Sequence, residues 1–157
     1  MTPGSEKSSP QKVVAITRPS LHETLMTVAE AYALRGTCSR LQVGAVIADS
    51  RGVVLSSGYN GAPAGMPHCD HTDSSEPCRL SVHAEINALL WAARRGVATE
   101  GSCVYVTHEP CYNCSLALIQ AGITEVRYRY SYGRNSGVPL LIGASIDVSS
   151  VSLVGAE

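Results

Sequence analysis

Apolar positions along this chain follow two periods that alternate in order. Leu21, Leu25, Val28, Ala29, Tyr32 and Ala33 fall at helical spacing. Ser20-Leu21-His22-Glu23 has the S-x-x-E form that satisfies the first amides of a helix reciprocally. The predicted helix runs to about Arg35, stops at Gly36, and leaves His22 on the surface. Gln42 to Ala48 is continuously apolar, as in a strand covered on both faces. Asp49 to Gly52 makes a turn, and Val53 to Tyr59 returns as an antiparallel strand. His83 to Arg95 reads as a helix, with Ile86, Leu89, Leu90 and Ala93 at helical spacing and Gly96 as its stop. Trp91 is assigned to packing or an interface. Cys103 to Thr107 is a third strand, with Cys103 a small buried apolar residue. Cys111 to Ala121 is a helix ended by Gly122. Glu125 to Tyr130 alternates, with Val126, Tyr128 and Tyr130 on one face. Arg127 and Arg129 lie on the other face, either solvated or paired at a subunit interface. Gly137 to Gly143 suggests a last short helix and Ile146 to Val154 a last strand.

This order predicts an α/β fold: a three-layer α/β/α sandwich whose mixed five-stranded sheet carries helices on both faces. Two successive strand–helix–strand units should be right-handed parallel crossovers. Residues 1–19, rich in Ser, Pro, Lys and Thr, read as a flexible tail, in which Val13 to Ile16 offers a short strand or packing segment. Residues 20–157 form one domain. Asn60 to Ser81 is a long Gly-, Pro-, His-, Cys- and Asp-rich loop, and such loops inside compact domains are usually functional.

Composition narrows the class. The chain has 157 residues and a net charge of −1, which argues against a basic nucleic-acid-binding surface. No apolar run reaches the ~20 residues of a membrane span, and the start lacks a signal-peptide core. Six cysteines in metal-like clusters, without that signal, point to a reducing, cytoplasmic setting.

The candidate chemistry lies in Val82-His83-Ala84-Glu85-Ile86-Asn87 and, about 28 residues on, Pro110-Cys111-Tyr112-Asn113-Cys114. A C-x-x-C alone is equally a thiol redox pair. Together with one imidazole it supplies three zinc ligands, and a catalytic zinc takes three protein ligands and one open position. Cys111 and Cys114 share one helical face. His83 and Glu85 would diverge by about 200° on a helix, so they serve one site only if the helix N-terminus points at it. Pro110 suits the start of the second helix. Both zinc-bearing helices follow strands, which places the site beyond the carboxyl ends of the sheet.

The H-x-E…P-C-x-x-C pattern is that of zinc-dependent nucleobase deaminases. Within that superfamily, Leu21 to Val154 resembles the deoxycytidylate (dCMP) deaminase family. Gly58-Tyr59-Asn60-Gly61-Ala62-Pro63-Ala64-Gly65 carries the resemblance furthest, with His68-Cys69, Thr37-Cys38-Ser39-Arg40, Val43 to Val46 and Ala121-Gly122-Ile123 beside it. The resemblance implies hydrolysis of dCMP to dUMP and ammonia. Zinc sits on His83, Cys111 and Cys114, and Glu85 moves the protons. Asn60 contacts the sugar hydroxyl, the backbone at Ala84 holds the base, and Tyr132 lines the base pocket. Many members are homohexamers switched by dCTP and dTTP, which implies an oligomer here. Gly61, Pro63 and Gly65 then form an effector loop, and Mg2+ accompanies a triphosphate. Some relatives carry a second, structural zinc with ligands matching Cys38 and Cys69; Cys78 and His71, with His68 as alternate, complete four by spacing. Alternatives stay open: dCTP or another cytosine nucleotide, an RNA adenosine, or a zinc-stabilised binding module without catalysis. His108 and Glu109 depart from the less polar residues of many relatives, and Glu109 is assigned to the rim. Arg40, Arg79 and Arg134 are the phosphate candidates.

Overall fold

The computed structural model describes residues 18–71, 78–133 and 135–152. The segment Val13 to Ile16, most of the tail, the phosphate candidate Arg134 and the last residues of the predicted final strand lie outside them. The element order is α1 (Leu21–Ala33), β1 (Gly44–Ala48), β2 (Val54–Tyr59), α2 (Ala84–Arg94), β3 (Cys103–His108), α3 (Tyr112–Gln120), β4 (Glu125–Tyr130), α4 (Val138–Gly143) and β5 (Asp147–Ser150). The last strand is shorter than its sequence pattern suggested.

The five strands form one sheet in the order β2-β1-β3-β4-β5. β1 is antiparallel to both β2 and β3, while β3–β4 and β4–β5 are parallel. It follows that β1 alone runs against the rest. The carboxyl ends of β2 and β3 therefore lie at the same edge, and the loops that leave them lead into α2 and α3.

Strand alternation divides the core in two. Ala45 and Ile47 of β1, with Val104 and Val106 of β3, face a cluster that holds Ala84, Ala88, Leu118 and Leu141. Val46, Ala48, Cys103 and Tyr105 face Leu25, Met26 and Ala29 of α1. One face thus carries α1 and the other α2, α3 and α4. Both faces of β1 are buried, as its unbroken apolar run requires.

α1 opens on the capping box: Glu23 N–H donates to Ser20 Oγ at 3.2 Å, and Ser20 N–H to Glu23 Oε2 at 2.6 Å. Its buried stripe is Leu25, Met26, Ala29 and Ala33; Leu21 and Tyr32, assigned to it from periodicity, are exposed. The stripe is rotated towards Met26. His22 is exposed as expected, yet its Nδ1 lies 2.9 Å from the Tyr105 hydroxyl.

α2 differs more. Ala84, Glu85, Ala88 and Ala92 are buried, whereas Leu90 is 52% exposed, Ala93 is exposed, and Ile86 and Leu89 are half-buried. The helix lies close to β2, where bulky side chains would not fit, so alanines face the sheet. Trp91 is exposed, with the Arg94 and Arg95 guanidinium groups 4.7 and 5.6 Å from its ring centroid.

The β4 arginines are paired within the chain rather than solvated. Arg127 donates to Glu125 Oε2 (2.9 Å), Asp147 Oδ2 (2.6 Å) and the Asp147 carbonyl (3.0 Å), which fastens β5 to β4. Arg129 pairs with Glu30 of α1.

Candidate metal centre and active site

His83 is the N-cap of α2 and Cys111 the N-cap of α3, both in extended backbone conformation. Neither side chain caps its own helix, which leaves the ligand atoms free to turn inward. His83 Nδ1 lies 3.5 Å from Cys111 Sγ and 3.3 Å from Cys114 Sγ. A tetrahedral ion about 2.3 Å from sulfur and about 2.0–2.1 Å from nitrogen sets such edges at about 3.5 Å. One imidazole and two sulfurs at this spacing fit zinc and leave its fourth position to the cavity. Two helix N-termini meet here, and their positive ends favour thiolates.

The thiols respond to one another. The Cys114 thiol and His83 pull Cys111 down to about 4, while Cys111 and burial push Cys114 up. Cys111 is therefore the thiolate of the pair, accepting hydrogen bonds from Cys114 and His83, and a bound cation would take the place of the protons shared among them.

Glu85 lies in the first turn of α2 and is only 4% exposed. Burial raises its carboxyl to about 7, against the pull of its own backbone amide and His83. A buried acid with so high a pKa, beside an open metal position, can accept and return protons near neutral pH.

These groups floor a cavity of about 320 Å³, which also takes in Arg40, Asn60, Ala84, His108, Glu109, Tyr132 and Asn135. The volume lies in the range of small-molecule sites. Asn60 is buried, and Val43 N–H donates to its Oδ1 at 2.7 Å while its Nδ2 donates to the Leu41 carbonyl at 2.7 Å. One Nδ2 proton and one Oδ1 lone pair are left for a ligand. Ala84 is wholly buried, and Tyr132 is 41% exposed. Arg40 lines the cavity; Arg79 is exposed and does not. Of the effector-loop residues, Gly61 is buried and pairs with Val82, while Pro63 and Gly65 are exposed and outside the cavity lining.

A second cluster abuts the first. Ligand atoms of Cys38, Cys69, His71 and Cys78 lie within 4.8 Å of one another, and Cys38 and Cys78 also line the cavity. His71 Nε2 is buried and has no hydrogen-bond partner among the described residues. Four soft or borderline donors with an orphaned imidazole nitrogen fit a closed metal site. His68, the alternate ligand, is exposed and outside the cluster.

Several contributors carried no readable signal. Asn87 donates to the Tyr59 carbonyl at 2.8 Å, and the Ser56 hydroxyl to the Ala88 carbonyl at 2.7 Å; together they hold α2 against β2. Asn87 stands inside the H-A-E-I-N stretch, which was the only available hint. His108 lies within 5.1 Å of the Tyr130 ring centroid, and burial pushes its imidazole down. Glu109 is half-buried and lines the cavity.

Comparison with known proteins agrees with this geometry. The family model for the cytidine and deoxycytidylate deaminase zinc-binding region matches residues 19–130. ComE operon protein 2 of Bacillus subtilis is 41% identical over 73% of this chain, which spans 62% of that protein's length. Deoxycytidylate deaminase of Mycobacterium phage D29 is 38% identical over 72% of this chain and 97% of its own. The structure of dCMP deaminase from cyanophage S-TIM5, in complex with dCMP and dUMP, superposes with a TM-score of 0.79. It shares 31% identity, over 87% of this chain and 100% of that one.

Proposed function

Because the chain belongs to the cytidine and deoxycytidylate deaminase zinc-binding family, we propose that it hydrolyses dCMP to dUMP and ammonia. The observation that carries this is the buried Glu85 in the first turn of the helix whose N-cap, His83, faces the Cys111 and Cys114 sulfurs. A structural metal site has no use for a buried base beside an open position, so a binding module without catalysis is disfavoured. The phage D29 relative and the cyanophage complex support dCMP over other cytosine compounds or an RNA adenosine.

His83, Cys111 and Cys114 would hold a zinc ion, which would supply Lewis acidity to water. Glu85 takes a proton from the attacking water as the C4–O bond forms, and delivers it to N3. The remaining proton of that water, on the oxygen now bonded to C4, passes through the same carboxylate to the exocyclic nitrogen; the C4–N4 bond breaks as the C4 carbonyl forms, and ammonia leaves. Asn60 offers its remaining amide proton and lone pair to the sugar hydroxyl. The backbone at Ala84 meets the polar edge of the base, and Tyr132 flanks the ring.

Finer elements of the reading follow. A second, structural zinc on Cys38, Cys69, His71 and Cys78 is supported by their spacing and the orphaned His71 Nε2. Assembly into a homo-oligomer, a hexamer by the resemblance, is supported by the exposed Leu90, Trp91, Tyr112 and Leu116 of α2 and α3. Control by dCTP and dTTP, with Mg2+ on the triphosphate, rests on the resemblance of residues 58–65; the exposed Pro63 and Gly65 are accessible to an effector. A cytoplasmic location is supported by the proposed nucleotide substrate and by six free cysteines.

Ammonia release measured side by side with dCMP, dCTP, deoxycytidine and cytidine tests the main reading. A clear preference in kcat/KM for dCMP is expected. Equal or better turnover of any of the other three reassigns the substrate.

A further inference from the structure

The segment from Ser131 to Gly137 closes one wall of the cavity through Tyr132 and Asn135, yet its described residues form no helix or strand. Its far end is stitched to the metal-binding segment by backbone bonds. Gly137 N–H donates to the Pro110 carbonyl at 2.8 Å, Tyr112 N–H donates to the Asn135 carbonyl at 3.2 Å, and Cys111 and Ser136 form a β-bridge. Gly137 suits this approach, because a Cβ there would stand 2.0 Å from Ser115 Oγ.

The near end is held differently. Glu109 donates its own N–H to the Tyr130 carbonyl at 2.8 Å, and its Oε2 accepts the Tyr132 N–H at 3.2 Å. The hydroxyls of Ser136, Ser131 and Tyr128 lie near this carboxylate. A carboxylate is an acceptor at every lone pair, so it can gather several converging donors.

We propose that Glu109 is a positioning residue: its carboxylate accepts the Tyr132 N–H, with Ser131 and Ser136 beside it, and thereby holds Tyr132 in the wall of the nucleotide cavity. Glu109 touches neither reacting atoms nor metal ligands. Its effect is exerted through Tyr132, so it bears on substrate affinity more than on proton transfer. The choice of Glu is specific, because Gln keeps an amide oxygen for the Tyr132 N–H but loses the negative charge that strengthens that bond.

The kinetic arm rests on the dCMP reading, whereas amide exchange does not. In the wild-type protein the Tyr132 amide should exchange at least about tenfold more slowly than that of Gly133, as one retained hydrogen bond requires. In Glu109→Ala, with zinc content unchanged, Tyr132 protection should fall about tenfold and KM for dCMP should rise about tenfold, with kcat within about threefold. Glu109→Gln should recover part of both. Wild-type protection and KM in Glu109→Ala would overturn the proposal, as would a Tyr132 amide in the wild-type protein that exchanges as fast as that of Gly133. Wild-type protein inert towards dCMP would sink the substrate reading and leave the exchange result to decide the role of Glu109.

Discussion

Gly58 of β2 lies so close to Ala84 of α2 that a β-carbon at position 58 would stand 2.4 Å from the Ala84 carbonyl oxygen. The same atom would meet the Ala88 nitrogen at 2.5 Å. Ala84 sits between His83 and Glu85, so this contact sets the depth of the catalytic turn. Gly58→Ala must push α2 outward or strain β2. Overpacking of this kind costs about 1–3 kcal/mol. The expected outcome is a lower unfolding midpoint in urea together with reduced turnover, as Glu85 moves with its helix. Gly143→Ala, where an added β-carbon meets nothing within 4 Å, is the control and should be near neutral. An equally mild Gly58→Ala would show that the helix is free to shift.

Glu85 should separate chemistry from folding. Its side chain is buried, and Gln preserves its volume while removing the proton-carrying carboxylate. Glu85→Gln is expected to keep zinc and fold while losing on the order of 10²–10⁴ in kcat. Zinc content by mass spectrometry and the thermal midpoint check the first half, and steady-state rates with dCMP check the second. A variant that keeps a tenth of the wild-type rate would remove Glu85 from the mechanism.

Asn60 combines scaffold and site. Its amide bridges the Leu41 carbonyl and the Val43 N–H, and no other side chain is bonded to those two groups among the described contacts. Asn60→Ala strands both groups in a partly buried place, at about 1–3 kcal/mol for each left unsatisfied. It also removes the proposed partner of the sugar hydroxyl. Lower stability and a higher KM should therefore appear together, with the zinc of the catalytic trio retained. Stability loss at unchanged KM would confine Asn60 to the scaffold.

The contrast between α1 and α2 shows why part of this molecule was readable. The ends of α1 were written locally, by Ser20, Glu23 and Gly36, and the metal trio was written in side-chain chemistry and spacing. The inward face of α2 was not local information. Ile86, Leu89, Leu90 and Ala93 have helical spacing, but the close approach at Gly58 admits only Ala84, Ala88 and Ala92 against the sheet. Periodicity ranks side chains by hydrophobicity, and here the distance between elements ranked them by size. Arg127 is a similar case: alternation put it on one face of β4, but its partner Asp147 comes from β5, which only the crossover brings alongside. Glu109 was hidden because its donors belong to a turn more than twenty residues further along the chain.

The second cluster yields the last prediction. Cys38 is buried at the end of the segment after α1, Cys69 and His71 come from the long loop, and Cys78 sits near the loop's return to α2. Little apolar surface is available there: residues 63–68 are all exposed. A four-coordinate ion would therefore act as the loop's core, and its binding free energy would act as folding free energy for that loop. Cys38 and Cys78 also line the cavity, so losing the ion should loosen the wall that faces the nucleotide without removing Glu85 or its zinc. Two zinc ions per chain are expected in wild-type protein purified without chelator. Cys78→Ser should hold one, because a neutral hydroxyl is a poor substitute for a thiolate. The same variant should show faster proteolysis within residues 60–80 and a raised KM, while the His83, Cys111 and Cys114 site stays loaded. One zinc per chain in both the wild-type protein and Cys78→Ser would mean that these four residues hold no metal, and that the loop is fixed by other means.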